Sequence, residues 1–389
     1  MQKVRYNSLE EYFDINSKII YKEKQAKQSE KNSISFKVNI KFQKYDEFKR
    51  YYPRYYLPLP DEYLENIEEL KESKNDIFER GKILRFSNFN LSFDAVVNKR
   101  DDNFAYIIPI KKKLINLIGN YTVKERNGDL TYERMSDALD NFVNEDCCSN
   151  HIEKYILGNQ YFKKSYNLSK IFNYSRYYMK HIRYFFSLNY EQKNTIDKIF
   201  TKEMVTINIR YNTSLKVICL IIYALYQMRR YINDKILVCS SSNAAADDIS
   251  MLLLNMKDCV KKLNILRIYA KNQEKVQRNK MLNYNSFHHI LKFSQEEIYR
   301  GNNRRKRIID DHDIIISTCV NSYCDDLINY HFPFVIIVDA NNSNENENLI
   351  PLTLHAQHVL LIAYENSDSG QVNLYKRMKR LYPANHFYL

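Results

Sequence analysis

Four short runs in the second half of this chain contain almost nothing but apolar and β-branched residues. They are Ile236-Leu237-Val238-Cys239, Ile314-Ile315-Ile316, Val335-Ile336-Ile337-Val338 and Val359-Leu360-Leu361-Ile362. A strand with water on one face alternates apolar and polar residues, so an unbroken apolar run needs cover on both faces. Helical segments separate the runs, and strands that alternate with helices assemble into a parallel sheet. The expected strands are Val205–Ile209, Lys235–Cys239, Ile265–Tyr269, Ile314–Ser317, Val335–Asp339 and Val359–Ala363. The class is α/β, and it begins near Leu188.

The first half has a different period. Phe36 to Phe42 reads F-K-V-N-I-K-F, with one apolar face, and Lys82–Phe86, Leu91–Val97 and Phe104–Ile110 alternate in the same way. Such segments, with a turn at Arg100–Asn103, predict a small antiparallel sheet or barrel. Tyr51, Tyr52, Tyr55 and Tyr56 surround Pro53, and Pro58 and Pro60 break the chain before an acidic helical run, Asp61 to Lys74. Residues 132–157 read as helix, with Met135, Leu139, Phe142 and Val143 on one face. Residues 1–35 are polar and Lys-rich, and predict a helix or a loose arm. There are no internal repeats.

Composition narrows the function. The chain has 389 residues, enough for two or three domains, and 14% aromatic residues, too many for a solvated coil. No apolar stretch is long enough for a bilayer and Met1 to Tyr6 is not a secretion leader, so the expected location is cytoplasmic. Lysine and arginine exceed aspartate and glutamate by 59 to 46, a net +13. Up to Ser187 the count is 33 against 26, and after it 26 against 20, so the two parts carry +7 and +6. The charge therefore spreads over the whole surface and favours an anionic partner such as RNA, although AT-rich codons would also supply it. Only six glycines are present, which leaves little for phosphate-cradling loops. The seven cysteines form no C-x-x-C pair and His288–His289 are adjacent, so no metal module is expected.

Ordered motifs identify a likeness. Leu188-Asn189-Tyr190-Glu191-Gln192 is similar to the L-N-x-x-Q that opens the core of superfamily-1 helicases. Ile236 to Asp247 resembles their L-V-C-A-P-S-N-x-A-x-D segment, and Ile316-Ser317-Thr318-Cys319-Val320 a later motif. Val335 to Asp339 resembles the Walker B strand, with Pro351 and Val359–Ala363 following in order. Tyr132 to Phe142 and His151 to Gly158 resemble the linking helix of one family in particular, the RNA helicases of nonsense-mediated decay. The resemblance implies a first RecA-like domain over 188–389, a stalk and β-barrel inserted over 36–187, and an N-terminal arm over 1–35. It implies ATP and Mg²⁺ as cofactors, adenine reading at Gln192, and nucleic-acid contacts at Ser241, Ser242, Asn243 and Thr318. A second RecA-like domain and a Cys/His zinc domain are not found in the sequence.

The same resemblance marks where ATP chemistry has been lost. The family's P-loop, G-x-x-G-x-G-K-[ST], falls on Ile209 to Lys216. Ile209, Asn212 and Ser214 replace its glycines, Thr213 stands between the last two, and Leu215 takes the lysine position. Lys216 is one residue late and occupies the position of the Mg²⁺-binding hydroxyl. A β-branched residue at the first glycine resists positive φ, so the amides cannot turn toward phosphate. In Walker B, Asp339 remains but Ala340 replaces the glutamate that activates water. The γ-phosphate sensor G-D-x-x-Q becomes Ala363-Tyr364-Glu365-Asn366-Ser367. No catalytic residue is assigned.

Each survivor also has a plainer role. Asp339 can cap a turn, Gln192 can end a helix, and Ser241 to Asn243 can start one. Arg304, Arg305 and Arg307 form a basic run that is either a nucleic-acid contact or a solvated helix face, and Lys111–Lys113 pose the same choice. The tyrosines around Pro53 either stack bases or pack. Together these readings lead us to expect a degenerate helicase of mRNA surveillance or of a ribonucleoprotein. It would hold RNA, or a protein partner of the decay machinery or ribosome, without ATP turnover and without a membrane. An ATPase completed by a partner chain and a purely structural protein are the alternatives.

Overall fold

The computed structural model describes residues 3–30, 35–43, 54–68, 76–78, 82–89, 91–109, 117–125, 129–144, 147–159, 189–199, 202–209, 218, 221–223, 225–226, 235–255, 264–270, 302–364 and 373–389. The chain divides into two compact units. One contains residues 1–21 together with 131–270 and 283–389, and the other is built mainly from 22–130. Helix α1 (Leu9–Glu30) runs from the first into the second.

The second unit is a closed barrel. Its strands are β1 (Ser35–Gln43), β2 (Arg54–Pro58), β3 (Ile83–Ser87), β4 (Ser92–Arg100), β5 (Phe104–Pro109) and β6 (Gly119–Glu125), with a short helix α2 (Asp61–Glu65) after β2. All pairs are antiparallel and the order is β1-β2-β5-β4-β3-β6, with β6 returning to β1. Alternation places Phe36, Val38, Ile40, Leu57, Leu84, Phe86, Ala95, Val97, Ile107 and Val123 inside, against Tyr63 and Phe78. Closure removes the open edges that a small sheet would otherwise expose. Two strands were not expected from the sequence, β2 and β6. In β2, Tyr55 is buried in the barrel, and Tyr56 packs edge-on against Phe104 at 5.7 Å.

The first unit carries the parallel sheet. In chain order its elements are α3 (Asp129–Asn144, which it takes up from Thr131), α4 (Asn150–Leu157), α5 (Tyr190–Ile199), β7 (Met204–Ile209), β8 (Ile236–Ser240), α6 (Asn243–Asn255), β9 (Ile265–Arg267), α7 (Asn302–Asp310), β10 (Ile314–Thr318), α8 (Cys319–Ser322), β11 (Phe334–Val338), α9 (Glu345–Leu352), β12 (His358–Tyr364), α10 (Leu374–Leu381) and β13 (His386–Tyr388). The strand order is β13-β7-β12-β11-β8-β10-β9 and every pairing is parallel. All six expected strands share this sheet, and β13 is a seventh. Two apolar layers cover it, one centred on Ile207, Val238, Ile336 and Ile362 and the other on Leu237, Ile337, Val359 and Leu361. This is an α/β, RecA-like arrangement accompanied by a small barrel.

The compact units are cut differently from the sequence reading. Tyr6, Tyr12 and Ile20 from the expected arm, and Met135, Leu139 and Phe142 from the expected insertion, all belong to the core of the sheet-bearing unit. The helix expected over 132–157 is two helices, interrupted where Cys148 bridges to Ala356. Residues 160–188, which hold the last part of the expected insertion, and Lys111–Lys113 lie outside the described residues.

Candidate nucleotide and nucleic-acid edge

Register brings the surviving motif residues to one edge of the sheet. Ser240 at the end of β8 lies beside Thr318 at the end of β10 on one side and Val338 at the end of β11 on the other. Ser241, Thr318 and Asp339 therefore share the C-terminal edge, the side on which open α/β sheets bind ligands. The last residue of β7, Ile209, pairs with Tyr364 at the same edge. Ile209 is buried and continues the strand, where the family's first P-loop glycine would turn away from it. Thr213, Leu215 and Lys216 lie outside the described residues.

Each carboxylate oxygen of Asp339 accepts a hydrogen bond from a neighbouring side chain. Its Oδ2 accepts a hydrogen bond from Ser241 Oγ at 2.8 Å, and its Oδ1 one from Asn342 Nδ2 at 2.8 Å. Its backbone is left-handed (φ 62°), and its carbonyl accepts the Asn342 N–H at 3.0 Å, closing a turn. Aspartate tolerates that conformation better than most residues because its short polar side chain bonds locally. Ala340 is buried behind it, with its N–H on Ile362 O at 2.9 Å and its carbonyl receiving Asn348 Nδ2 at 2.8 Å.

Gln192 sits at the third position of α5. Its Oε1 accepts the Asn189 N–H at 3.1 Å, and Asn189 Oδ1 accepts the Gln192 N–H at 2.8 Å. This is a reciprocal capping box, which satisfies two helix-start donors at once. The L-N-x-x-Q spacing thus has a local structural use whether or not adenine is present.

The start of α6 is built from the segment that follows β8, Ser241 to Asp247. Ser242 caps it, its Oγ accepting the Ala245 N–H at 3.2 Å and its carbonyl the Ala246 N–H at 3.2 Å. Ser242 is exposed, whereas Asn243 turns inward and accepts from Arg267 Nη2 at 2.8 Å. Thr318 caps α8 through the Asn321 N–H at 3.3 Å. Arg307 is exposed on α7, whose final carbonyls receive Lys235 Nζ at 2.8 Å (Ile309) and 3.0 Å (Asp310). Lys235 precedes β8, so Arg307 lies toward the opposite, N-terminal edge and apart from Ser241 and Thr318. Nothing is described of the Arg304 and Arg305 side chains.

Sequence reasoning missed Arg267. Its side chain is completely buried, yet it holds Asp247 Oδ1 from Nε at 2.9 Å, donates to Ile268 O at 2.6 Å and lies 4.1 Å from the Tyr269 ring centroid. Tyr269 O–H donates to the same Asp247 oxygen at 2.7 Å, and burial pushes that phenol well above its ordinary range. Two acceptors on one face of α6, Asn243 and Asp247 at i and i+4, are the signal that could have suggested a buried cation.

With this edge described, likeness to known proteins can be stated. Residues 187–299 and 271–362 match the AAA domain family. The ATP-dependent helicase NAM7 of Saccharomyces cerevisiae is 25% identical over 269 residues, covering 64% of this chain and 26% of the helicase. The regulator of nonsense transcripts 1 of Dictyostelium discoideum is 25% identical over 224 residues, 51% of this chain and 16% of that protein. A homologue of the same regulator in Arabidopsis thaliana is 24% identical over 279 residues, 64% and 21%. The matched part of the chain spans about a quarter or less of the length of each of these relatives. No helix among the described residues is long and apolar enough to cross a membrane.

Proposed function

We propose that this chain is a helicase-derived, cytoplasmic component of mRNA surveillance that holds RNA or a protein partner without hydrolysing ATP. The observation that carries this reading is the state of the Walker B end. Both Asp339 oxygens are committed to protein donors, and the next residue is a buried alanine with no group to accept a proton. Together with Ile209 and Leu215 in the P-loop positions, this donor set does not suit a Mg²⁺-bound triphosphate. What remains at the edge suits a nucleic-acid backbone: the exposed Ser242 at the start of α6, and Thr318 beside it. A net charge of +13 supplies long-range attraction.

Two measurements test this. Phosphate release should stay at background with and without single-stranded RNA. RNA-stimulated turnover that Asp339→Ala abolishes would overturn the reading. RNA affinity should fall steeply with salt, by about 0.7 in log–log slope for each phosphate neutralised on a single strand. Binding no tighter than that of an unrelated protein of equal charge would leave only the protein-partner half.

A further inference from the structure

The seven-stranded sheet ends on two strands that differ in how they are covered. At one end all three residues of β9 are buried. At the other end β13 pairs with β7, and none of its three residues is buried. Among the described residues no strand pairs with its outer side. Leu389 N–H donates to Asn208 O at 2.9 Å, and Phe387 lies level with Ile207. A parallel ladder uses the peptide groups of alternate residues, so Phe387 and Leu389 face β7. The N–H and C=O of His386 and Tyr388 therefore point away from the sheet.

An open edge is a template for another strand, and proteins guard it with charges, prolines, bulges or brevity. β13 reads His-Phe-Tyr and has only the last of these, which leaves a partner strand the main-chain donors and acceptors of His386 and Tyr388. The two sides of the edge differ in chemistry. Phe387 and Leu389 lie in the apolar layer with Ile196 and Ile199 of α5. On the other side Tyr388 is 64% exposed, with Lys379 Nζ 5.4 Å from its ring centroid. Lys379 belongs to α10, which also carries Lys376 and Arg380 and contains no acidic residue.

A strand laid beside β13 continues its pleat. Residues level with His386 and Tyr388 then stand on the side of the α10 cations, and those level with Phe387 on the apolar side. The complement is an extended segment that alternates acidic and apolar residues. A second copy of this chain fits poorly. Antiparallel pairing of two β13 strands about a two-fold axis would bring Lys379 and Arg380 of both copies together on one face.

We propose that the outer edge of β13 is a strand-addition site for a protein segment of alternating acidic and apolar residues. Main-chain hydrogen bonds to His386 and Tyr388 hold the segment, and Lys379 with its neighbours on α10 selects its charge. The site uses none of the residues proposed to hold RNA, and stands whether or not RNA is bound.

Fluorescence anisotropy of the full chain with a short labelled peptide of alternating glutamate and valine tests this. The peptide should bind saturably, and the same peptide with lysine for glutamate should not. N-methylation of alternate peptide nitrogens separates strand pairing from charge attraction. Methyls on the set that faces β13 (glutamate if the segment runs antiparallel, valine if parallel) should lower affinity about ten-fold or more. Methyls on the other set should leave it unchanged. Equal affinity for both sets overturns the proposal, because charge alone would then explain binding.

Tyr388→Pro removes an outward N–H and keeps the bonds to β7, and should weaken the peptide several-fold. Lys379→Glu should lose the glutamate peptide and take up the lysine one. Thermal unfolding checks that each variant is folded; if Tyr388→Pro is not, Lys379→Glu decides. Full binding retained by the folded variants overturns the proposal. So does a wild-type dimer in sedimentation that Tyr388→Pro converts to monomer, since a second copy would then occupy this edge.

Discussion

Ser241 Oγ donates to Asp339 Oδ2 at 2.8 Å, so the residues that follow two neighbouring strands, β8 and β11, are tied across the C-terminal edge of the sheet. A carboxylate that in a nucleotide-binding edge would face Mg²⁺ is here a structural acceptor, set in a left-handed turn that it closes itself.

That arrangement predicts opposite outcomes for two substitutions. Asp339→Asn keeps tolerance of positive φ and one acceptor, set toward Asn342 Nδ2 while the Ser241 hydroxyl turns to accept from the new amide, and should cost no more than about 1 kcal/mol. Asp339→Ala loses two hydrogen bonds and strains the turn, and should cost about 2–4 kcal/mol. Urea unfolding of the two variants checks this. Equal stability for both would mean that Asp339 does not support the turn.

A second prediction concerns a buried ion pair. Arg377, 2% exposed, meets Glu345, 1% exposed, through Nε at 3.0 Å and a second bond from Nη2, and also donates to Ile156 O at 2.6 Å. Tyr12 O–H donates to Glu345 at 3.0 Å, and burial, reinforced by the Glu345 charge, drives that phenol far above its ordinary range. Arg377→Ala or Glu345→Ala alone should cost about 3–5 kcal/mol, because each leaves a charge without its partner. Arg377→Met combined with Glu345→Leu should cost less than either single change. A double-mutant cycle measured by urea denaturation reads the difference.

Arg267 gives a third. Arg267→Leu leaves Asn243 without its donor and the Asp247 carboxylate with only the Tyr269 O–H, and should cost about 3 kcal/mol. Arg267→Lys should recover only part of it, since an ammonium cannot span both acceptors as the guanidinium fork does. Equal stability of the Lys variant and wild type would show that the fork geometry is irrelevant.

Stability should also depend on pH through His358. Burial holds its imidazole down at about 4, against an ordinary value of 6.5. Between those values the unfolded chain binds the proton and the folded chain does not, so stability is full above about pH 6.5 and is lost as pH falls toward 4. The loss is at most about 3 kcal/mol. His386, also held near 4 by burial and by Lys379, acts in the same direction. His358→Asn should flatten the fall in urea midpoint between neutral pH and about pH 4.5. An unchanged slope would remove His358 as its source.

Much of this fold is legible in the sequence. Unbroken apolar runs located four of the seven parallel strands, because burial on both faces leaves no other composition, and β-branched segments between helices located two more, β7 and β9. Strand β13 escaped because three residues, His386 to Tyr388, carry no period. Strand β2 escaped because Pro53, Pro58 and Pro60 read as turn punctuation, yet a proline is tolerated at the ends of a five-residue strand. At the candidate edge, the N-x-x-Q spacing of Asn189 and Gln192 told of a helix start. Arg267 and Arg377 were invisible, because what neutralises a buried cation is fixed by tertiary neighbours and not by local pattern.

The hydrogen bond from Tyr12 to Glu345 joins residues 333 positions apart. On a ribosome, the barrel strands from Ser35 to Glu125 have all their pairing partners within that stretch, and can close while the rest is still being made. Helix α1 has no such option. Synthesised early, it finds its first partners only in α3, where Tyr12 meets Phe142 at 5.3 Å, and its last in α9, so part of its apolar side stays exposed to whatever binds nascent chains until more than three hundred further residues are made.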